Sequence, residues 1–187
     1  MSGIHAQIAL NLDNLRSGDN ARQDTAFRFF IAATNEAVDW AYEVWDDLLV
    51  TLKKGDNRQR AISSQVLCNL AKSDPENRIL QDLNALLLVT KDERFVTARH
   101  CMQSLWKIGV VGESQRKALV DGLVHRFDEC AAEKNCTLIR YDILESLRRI
   151  YDLTADETLR TTATVLIDTE ADAKYRKKYA TLWRKKA

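Results

Sequence analysis

Arginines at helical spacing are the residues of this 187-residue sequence whose chemistry points most directly to a partner. The arginines lie early to midway in predicted helices, on or beside the polar face, and one glutamine and one lysine extend the same strip. This set of candidate binding residues is Arg22, Arg58, Arg60, Arg99, Gln103, Lys107, Arg140 and Arg176. An array of this kind would suit an acidic peptide, a phosphorylated segment or a nucleic-acid backbone. Tyr141 and Tyr175 could add stacking to the surface, although packing between helices is the more common role for such residues.

Side chains that could perform covalent chemistry or hold a metal are present but poorly spaced. His125, Cys130 and Cys136 lie five and six residues apart, without the fourth ligand or the paired-cysteine spacing of a zinc site. His100 and Cys101 are adjacent and would point to different faces of a helix. No glycine-rich phosphate loop or nucleophile elbow occurs. The sequence therefore predicts no catalytic residue, no metal and no cofactor, and it favours a protein that is not an enzyme.

The composition is typical of one soluble domain covering residues 1–187. The chain is 45% apolar and 29% charged, and its single proline and six glycines leave few residues for β-turns. Four cysteines inside helical patterns indicate reduced thiols rather than a disulfide framework. Neither a signal-peptide pattern nor an apolar run of about 18 residues is present. We therefore expect a cytoplasmic protein that does not span a membrane.

Apolar periodicity predicts ten helices arranged in five pairs. Gly18-Asp19-Asn20 recurs as Gly55-Asp56-Asn57, and a repeat of this length filled only by helices indicates stacked helical hairpins. The five pairs cover approximately residues 4–35, 36–72, 74–109, 113–152 and 154–187. Pro75 is expected at a first helical position, and Thr154 with Glu157 has the spacing of a capping box.

The second helices of the five pairs align without gaps. One predicted core column holds Ala26, Ser63, Cys101, Ile143 and Tyr179. The column one turn later holds Phe30, Leu67, Leu105, Leu147 and Trp183. A third column, three residues before the first, holds Gln23, Arg60, Ala98, Arg140 and Arg176. We expect the first two columns to line the interior.

An acidic corner residue followed by arginine, a small residue and leucine resembles the pattern of HEAT repeats. Asp56 with Arg60 and Asp172 with Arg176 match the pattern best, whereas Ala98 stands where arginine is expected. The resemblance spans nearly the whole chain. It implies an all-α fold, namely a right-handed α-α superhelix of antiparallel helical hairpins of the HEAT or armadillo kind. It also implies that corner acids and arginines form a ladder between neighbouring repeats, which favours a structural role for these columns.

Formal charge is unevenly distributed between the two helices of each predicted pair. The second-helix spans 20–34, 57–71, 93–108, 137–151 and 172–187 carry +1, +2, +2, +1 and +6, although the whole chain carries +1. HEAT-like stacks turn their second helices toward the concave side. The resemblance therefore implies a basic concave ridge, although half of the excess lies in the terminal segment, which could be a solvated end.

The function predicted from these features is a non-enzymatic scaffold that binds a protein or an acidic peptide through the concave ridge. The alternative is a nucleic-acid-binding protein related to the HEAT-like alkylpurine DNA glycosylases. Trp40, Trp45 and Trp106 would be its candidate base contacts, with Asp39, Asp46 and Asp47 nearby, but no catalytic residue can be carried over. Neither a membrane nor a small-molecule substrate is indicated.

Overall fold

A computed structural model describes residues 3–184, and over this range the chain is all-α, as predicted, with no strand. The described residues form ten α-helices: α1 (Gly3–Arg16), α2 (Asn20–Ala33), α3 (Ala41–Lys54), α4 (Asn57–Leu70), α5 (Arg78–Val89), α6 (Phe95–Gly109), α7 (Glu113–Glu129), α8 (Cys136–Thr154), α9 (Glu157–Asp168) and α10 (Ala173–Leu182). Two short 3-10 turns cover Ala71–Ser73 and Cys130–Ala132. No helix of the described range is both long and apolar enough to cross a membrane.

The chain divides into two compact units, residues 1–104 and residues 105–187, and the division falls within α6. In the first unit, α1 packs on α2 and α3 packs on α4, while α2 also contacts α4 and α1 also contacts α3. In the second unit, α8 packs against α7, α9 and α10. The pairs α1–α2, α3–α4, α7–α8 and α9–α10 are therefore packed together, and α2 packs on α4 in the first unit as α8 packs on α10 in the second. A single domain over residues 1–187 stays a prediction.

Aspartates at the residue just before the helix cap four of the helices and fix the corners that precede them. The Asp56 carboxylate accepts the N–H of Gln59 at 2.8 Å, and the Gln59 side chain accepts the N–H of Asp56 at 2.8 Å, which forms a capping box. Asp19, Asp156 and Asp172 accept backbone N–H groups in the first turns of α2, α9 and α10. Each carboxylate satisfies a donor that the helix itself cannot satisfy.

The start of α5 differs from the prediction that placed Pro75 inside the helix. Pro75 lies in the preceding turn, and Asn77 adopts φ 57° before the helix begins at Arg78. The carboxylate of Asp74 accepts the N–H groups of Arg78 and Ile79 at 2.9 and 2.8 Å. The buried carboxylate thus caps the helix from four residues upstream, and this contact sets the helix start later than the proline pattern indicated.

The predicted capping box at Thr154 and Glu157 is also wrong. Thr154 is the last residue of α8, and Ala155 ends that helix in the left-handed region at φ 53°. Asp156 is the residue that caps α9, because its carboxylate accepts the N–H of Thr158 at 3.1 Å. The Thr154 hydroxyl instead donates a hydrogen bond to the Ile150 carbonyl within its own helix.

The two predicted core columns line the interiors of the two units. All five residues of the first column are 0% exposed: Ala26, Ser63, Cys101, Ile143 and Tyr179. In the second column, four residues are 0% exposed, namely Phe30, Leu67, Leu105 and Leu147, and Trp183 is half-buried. The alignment of the second helices therefore identified their buried face correctly.

Ser63 is the small polar residue of the first column, and replacing it tests whether this column is buried. Its hydroxyl is buried without a hydrogen-bond partner, whereas the hydroxyl of the neighbouring Ser64 donates to the Ala61 carbonyl at 2.9 Å. An unsatisfied buried polar group destabilises the folded state, so Ser63→Ala should be more stable than Ser64→Ala by about 1 kcal/mol. Both changes bring the same gain in helix propensity, which cancels in the comparison. Urea unfolding of the two variants measures the difference, and equal stabilities would contradict the buried, unpaired hydroxyl.

Candidate binding surface

Arg60, a central member of the predicted ridge, forms hydrogen bonds to other residues of the first unit. Its Nε and Nη2 donate to the two carboxylate oxygens of Asp92 at 2.6 and 3.0 Å, and its Nη1 donates to the Gly55 carbonyl at 2.8 Å. The side chains of Arg60 and Asp92 are 23% and 5% exposed. This bidentate pair joins α4 to the corner before α6, and it leaves Arg60 little capacity for a partner.

Arg140 makes the corresponding contact in the second unit. Its Nη1 donates to the Glu170 carboxylate at 2.9 Å, its Nε donates to the Phe127 carbonyl at 3.3 Å, and its guanidinium lies 4.6 Å from the centroid of the Phe127 ring. Both charged side chains are largely buried. Arg140 thus joins α8 to the corner before α10 and to the end of α7.

A neutral version of the same contact occurs at the start of the chain. The side-chain amide of Gln23 donates to Asp56 at 3.3 Å, so α2 is tied to the corner before α4. Gln23, Arg60 and Arg140 thus each link a second helix to an acidic residue in a following corner. The third column of the sequence alignment is therefore occupied at these three positions by contacts within the protein rather than by free cations.

The electrostatics of Asp92 are governed by its arginine. Burial alone would raise the pKa of the Asp92 carboxyl, but hydrogen bonds from Arg60 and from the Arg94 N–H outweigh it and hold the pKa below its ordinary value of 3.8. The hydrogen bond to Asp92 likewise raises the pKa of Arg60. The pair therefore stays ionised at neutral pH, and its contribution to stability depends on Arg60.

The other predicted ridge residues are distributed over both units. In the first unit, Arg22 is exposed and donates from Nε to Asn14 at 2.9 Å, while Arg58 is half-buried. Arg99 and Gln103 are half-buried on α6.

In the second unit, Lys107 is half-buried, with its Nζ 6.0 Å from the centroid of the Trp106 ring. Arg176 is exposed and forms no ion pair with any described residue. The first unit thus contains Arg22, Arg58, Arg60, Arg99 and Gln103, and the second unit contains Lys107, Arg140 and Arg176.

A groove of about 570 Å³ opens across α2, α4 and the first turns of α6, within the first unit. Its apolar wall consists of Phe27, Ala61, Ile62 and Val96. Its polar lining includes Asn20, Asp24, Asn57, Arg58, Gln65 and His100. A concave apolar wall with polar groups placed around it is suited to binding a ligand. Arg58 is the ridge residue that this groove contains.

Arg58 retains unused hydrogen-bonding capacity within the groove. Its Nη2 donates a hydrogen bond to Asp24 at 3.2 Å. Asp24 also forms an ion pair with Arg28 at 2.7 Å. The Nε of Arg58 is buried and has no hydrogen-bond partner. Since the guanidinium has five N–H donors and the side chain is 41% exposed, a carboxylate or carbonyl entering the groove could be bound here. Asp56, by contrast, accepts one hydrogen bond on each carboxylate oxygen, from the Gln59 N–H of the α4 cap and from Gln23.

Val96 lies in the first turn of α6 and is 68% exposed although it is apolar. The buried residues of this helix follow Ala98, Cys101 and Leu105, and Val96 falls outside that three-to-four-residue pattern. Phe27 on α2 is half-buried and lines the groove. An apolar residue that breaks the helical period at the start of a second helix was the signal in the sequence for this groove.

The last helix carries the strongest local charge of the described chain. Four basic residues and no acidic residue lie in α10, and all four are exposed: Lys174, Arg176, Lys177 and Lys178. The ammonium of Lys178 lies 4.8 Å from the centroid of the Tyr141 ring on α8. None of the four forms an ion pair with another described residue. Tyr141 and Tyr175 thus each lie beside a lysine of α10.

The aromatic residues considered as base contacts lie mainly in the interior. Trp45 is 0% exposed and donates from Nε1 to Asp82 at 2.9 Å, and Trp40 is also buried. Asp39 and Asp46 are exposed, and Asp47 is half-buried. Among residues 3–184, no group of three or more His, Cys, Asp or Glu side chains could hold a metal ion. No protein-family model matches the chain, and no curated protein matches it.

Replacing Arg60 tests whether it is a structural residue. Arg60→Met should lower the free energy of unfolding at pH 7 by about 2 kcal/mol, because it leaves the Asp92 carboxylate buried and unpaired. Arg58→Met, two residues away in the same helix, removes a half-exposed pair and should cost no more than about 1 kcal/mol. Urea unfolding with circular dichroism measures both. Equal effects of the two variants would contradict the structural assignment of Arg60.

The pH dependence of the same variant has a defined sign. Since the pKa of Asp92 is lowered on folding from 3.8, the pair stabilises the protein above that pH, and the stabilisation is lost as pH falls through the lower folded-state pKa. In Arg60→Met, only Arg94 would still oppose the effect of burial, so the Asp92 pKa should be higher than in wild type. The stability difference between wild type and Arg60→Met should therefore be smaller at pH 3 than at pH 7, to the extent that both remain folded.

Proposed function

We propose that this protein is a non-enzymatic binding scaffold whose first-unit groove accepts a segment of a protein partner. The observation that carries the proposal is the groove itself. Three helices contribute to it, its apolar wall is surrounded by polar groups, and the largely exposed Val96 projects at its edge. The wall suits an apolar anchor side chain, and the amides of Asn20, Asn57 and Gln65 suit the polar groups of a peptide backbone.

A HEAT-like repeat architecture is part of the same proposal. The pairwise helix packing within each unit and the links made by Gln23, Arg60 and Arg140 support it. Such links hold α2, α4 and the corner before α6 in place within the first unit. A groove on packed helices loses little conformational entropy when a ligand binds. The cytoplasmic location rests on the cysteine pattern of the sequence.

The charge of Arg58 indicates the chemistry of the segment. Asp24 is already shared by Arg28 and Arg58, and Asp56 is engaged in its cap. The remaining N–H donors of Arg58 are therefore the charged groups of the groove with capacity for a ligand. We infer that the segment combines an apolar anchor with a nearby acidic side chain, which agrees with the acidic-peptide prediction. Arg58, and not Arg60, is the ridge residue to which this proposal assigns the contact.

Peptides selected from a displayed library against the immobilised chain provide the test. Fluorescence polarisation would measure their affinity for wild type, Val96→Arg and Val50→Arg. Val96→Arg inserts a charged side chain into the groove and should weaken binding by about tenfold or more. Val50 on α3 is 55% exposed and lies outside the groove, so Val50→Arg is a matched control that should bind like wild type.

Arg58→Glu separates the two parts of this interaction. It should abolish any preference for acidic residues among the selected peptides and leave the requirement for an apolar anchor. Equal binding to wild type and Val96→Arg would contradict the groove as the binding site. Failure of the library to yield any peptide that binds above background would contradict the proposal as a whole. Circular dichroism spectra and melting temperatures of the variants would show that each one is folded.

The charge of α10 favours a second candidate function, which is binding of nucleic acid by the second unit. Lys174, Arg176, Lys177 and Lys178 are unpaired among the described residues, and the Tyr141 ring lies beside Lys178. Cations next to aromatic rings are suited to a single-stranded nucleic acid. This candidate has no observation in favour of base excision, since Trp40 and Trp45 are buried.

Salt-dependent binding of single-stranded DNA tests this second candidate. Affinity should fall steeply between about 50 and 200 mM salt, and Lys177→Glu with Lys178→Glu should reduce both the affinity and the slope. Lys53→Glu with Lys54→Glu makes the same charge change in the last turn of α3 and serves as the control. No retention of DNA at low salt, or equal losses in the two double variants, would eliminate nucleic-acid binding by α10.

A further inference from the structure

Two cysteines that are six residues apart in the sequence have their sulfur atoms side by side in the second unit. Cys130 begins the 3-10 turn after α7, and Cys136 is the first residue of α8. Their Sγ atoms are 3.2 Å apart, compared with about 2.05 Å in a disulfide bond, and both thiols are free. Cys130 is 0% exposed, whereas Cys136 is half-buried. One thiol is therefore accessible, and the other lies directly behind it.

We propose that Cys130 and Cys136 form a redox-active dithiol site that a low-molecular-weight disulfide of the glutathione class oxidises to an internal disulfide. The proposal rests on the geometry of this corner and is independent of the groove and of α10. It also leaves the predicted reduced state of the cysteines in place, because the disulfide is the product of oxidation and not part of the folded framework.

The environment of the two thiols determines the order of events. Burial raises the pKa of the Cys130 thiol to about 12, and the neighbouring Cys136 raises it further, against the opposing charges of Arg140 and Arg126. The thiolate is the nucleophile in thiol–disulfide exchange. Cys130 is therefore a poor first nucleophile, and the half-buried Cys136 is the thiol that meets the oxidant.

The reaction balances in two exchanges. The Cys136 thiolate attacks one sulfur of the small disulfide, forms a mixed disulfide and releases one small thiol. Cys130 then loses its proton to solvent and attacks the Cys136 sulfur, which forms the internal bond and releases the second small thiol. The two protein thiols together lose two electrons and two protons, and the oxidant is reduced to two thiols.

The corner holds the two sulfurs near each other before any reaction. Arg126, which is 2% exposed, binds both carboxylate oxygens of Glu133 at 2.6 and 2.8 Å, and Glu133 lies between the two cysteines. The Cys136 N–H donates to the Glu133 carbonyl at 3.0 Å. On the side of α8, the Tyr179 hydroxyl donates to the Thr137 carbonyl at 2.9 Å. A dithiol held in this way has a high effective concentration, which favours the internal disulfide over two mixed disulfides.

Peptide mapping after incubation with oxidised glutathione tests the proposal. Trypsin cleaves after Arg126, Lys134 and Arg140, so it separates Cys130 (residues 127–134) from Cys136 (residues 135–140). After free thiols are blocked with iodoacetamide, the wild-type chain should yield these two peptides joined by a disulfide, with the loss of two hydrogens in the intact mass. Recovery of both peptides separately, with both cysteines alkylated, would overturn the proposal.

Single variants test the order of attack. Cys130→Ser should retain one glutathione on Cys136, because no second thiol displaces it, whereas Cys136→Ser should stay unmodified at Cys130. Cys101→Ser, which changes a buried cysteine of the first unit, should give the same linked peptides as wild type. A wild-type chain that retains glutathione on Cys136 as Cys130→Ser does would contradict attack by Cys130.

Unfolding separates the contribution of the fold from simple proximity in sequence. In concentrated urea, at the same ratio of oxidised to reduced glutathione, the ratio of linked to reduced peptides should fall by about tenfold or more. An unchanged ratio would show that the corner does not pre-organise the two thiols. The reference is a wild-type sample that is oxidised without urea and shown to be folded by its helical circular dichroism signal.

Discussion

Burial of one narrow column of side chains on each second helix is the constraint on which the rest of this structure depends. A single pair of helices cannot cover its own apolar face, so each pair is stable only when a neighbouring pair packs against it. The column meets this need with residues of very different size. Small side chains at Ala26 and Ser63 suit the contact of α2 with α4, while Ile143 and Tyr179 fill the interior of the second unit, and all four are 0% exposed. The two units therefore satisfy one constraint with different packing.

The arginines next to this column show why the charge counted on the sequence differs from the charge that a partner could contact. Counted on the sequence, the second helices are basic. In the structure, Arg60 and Arg140 are neutralised by Asp92 and Glu170 from the following corners, so they strengthen the links between helices and contribute little to an outward field. Arg58 in the groove and the basic residues of α10 are second-helix cations that keep capacity for a ligand. The groove combines an apolar wall with polar groups and α10 is strongly basic, so the two surfaces differ in chemistry.

Local periodicity predicted the all-α structure and the buried columns correctly, because core packing leaves a three-to-four-residue period in the sequence. What it could not supply was the partner of each polar side chain. Arg60 meets Asp92 and Arg140 meets Glu170 across about thirty residues, and no local pattern encodes such a distance. The errors at Pro75 and Thr154 have a related cause, since an aspartate at another position took over the capping role in each case. Val96 could have been recognised as exposed, because it departs from the helical period.

The corner between α7 and α8 links the proposed chemistry of the cysteines to the basic helix. The Phe127 carbonyl accepts two hydrogen bonds, one from the Cys130 thiol at 3.2 Å and one from the Nε of Arg140 at 3.3 Å. Oxidation would remove the thiol donor and leave Arg140 as the remaining side chain on that carbonyl. Arg140 also holds Glu170 just before α10, and the Tyr179 hydroxyl of α10 is bound to the carbonyl next to Cys136. Both contacts run from the start of α8 to α10 or to the corner before it, so a shift of the cysteine pair on oxidation would be transmitted through them to the helix that carries the unpaired cations.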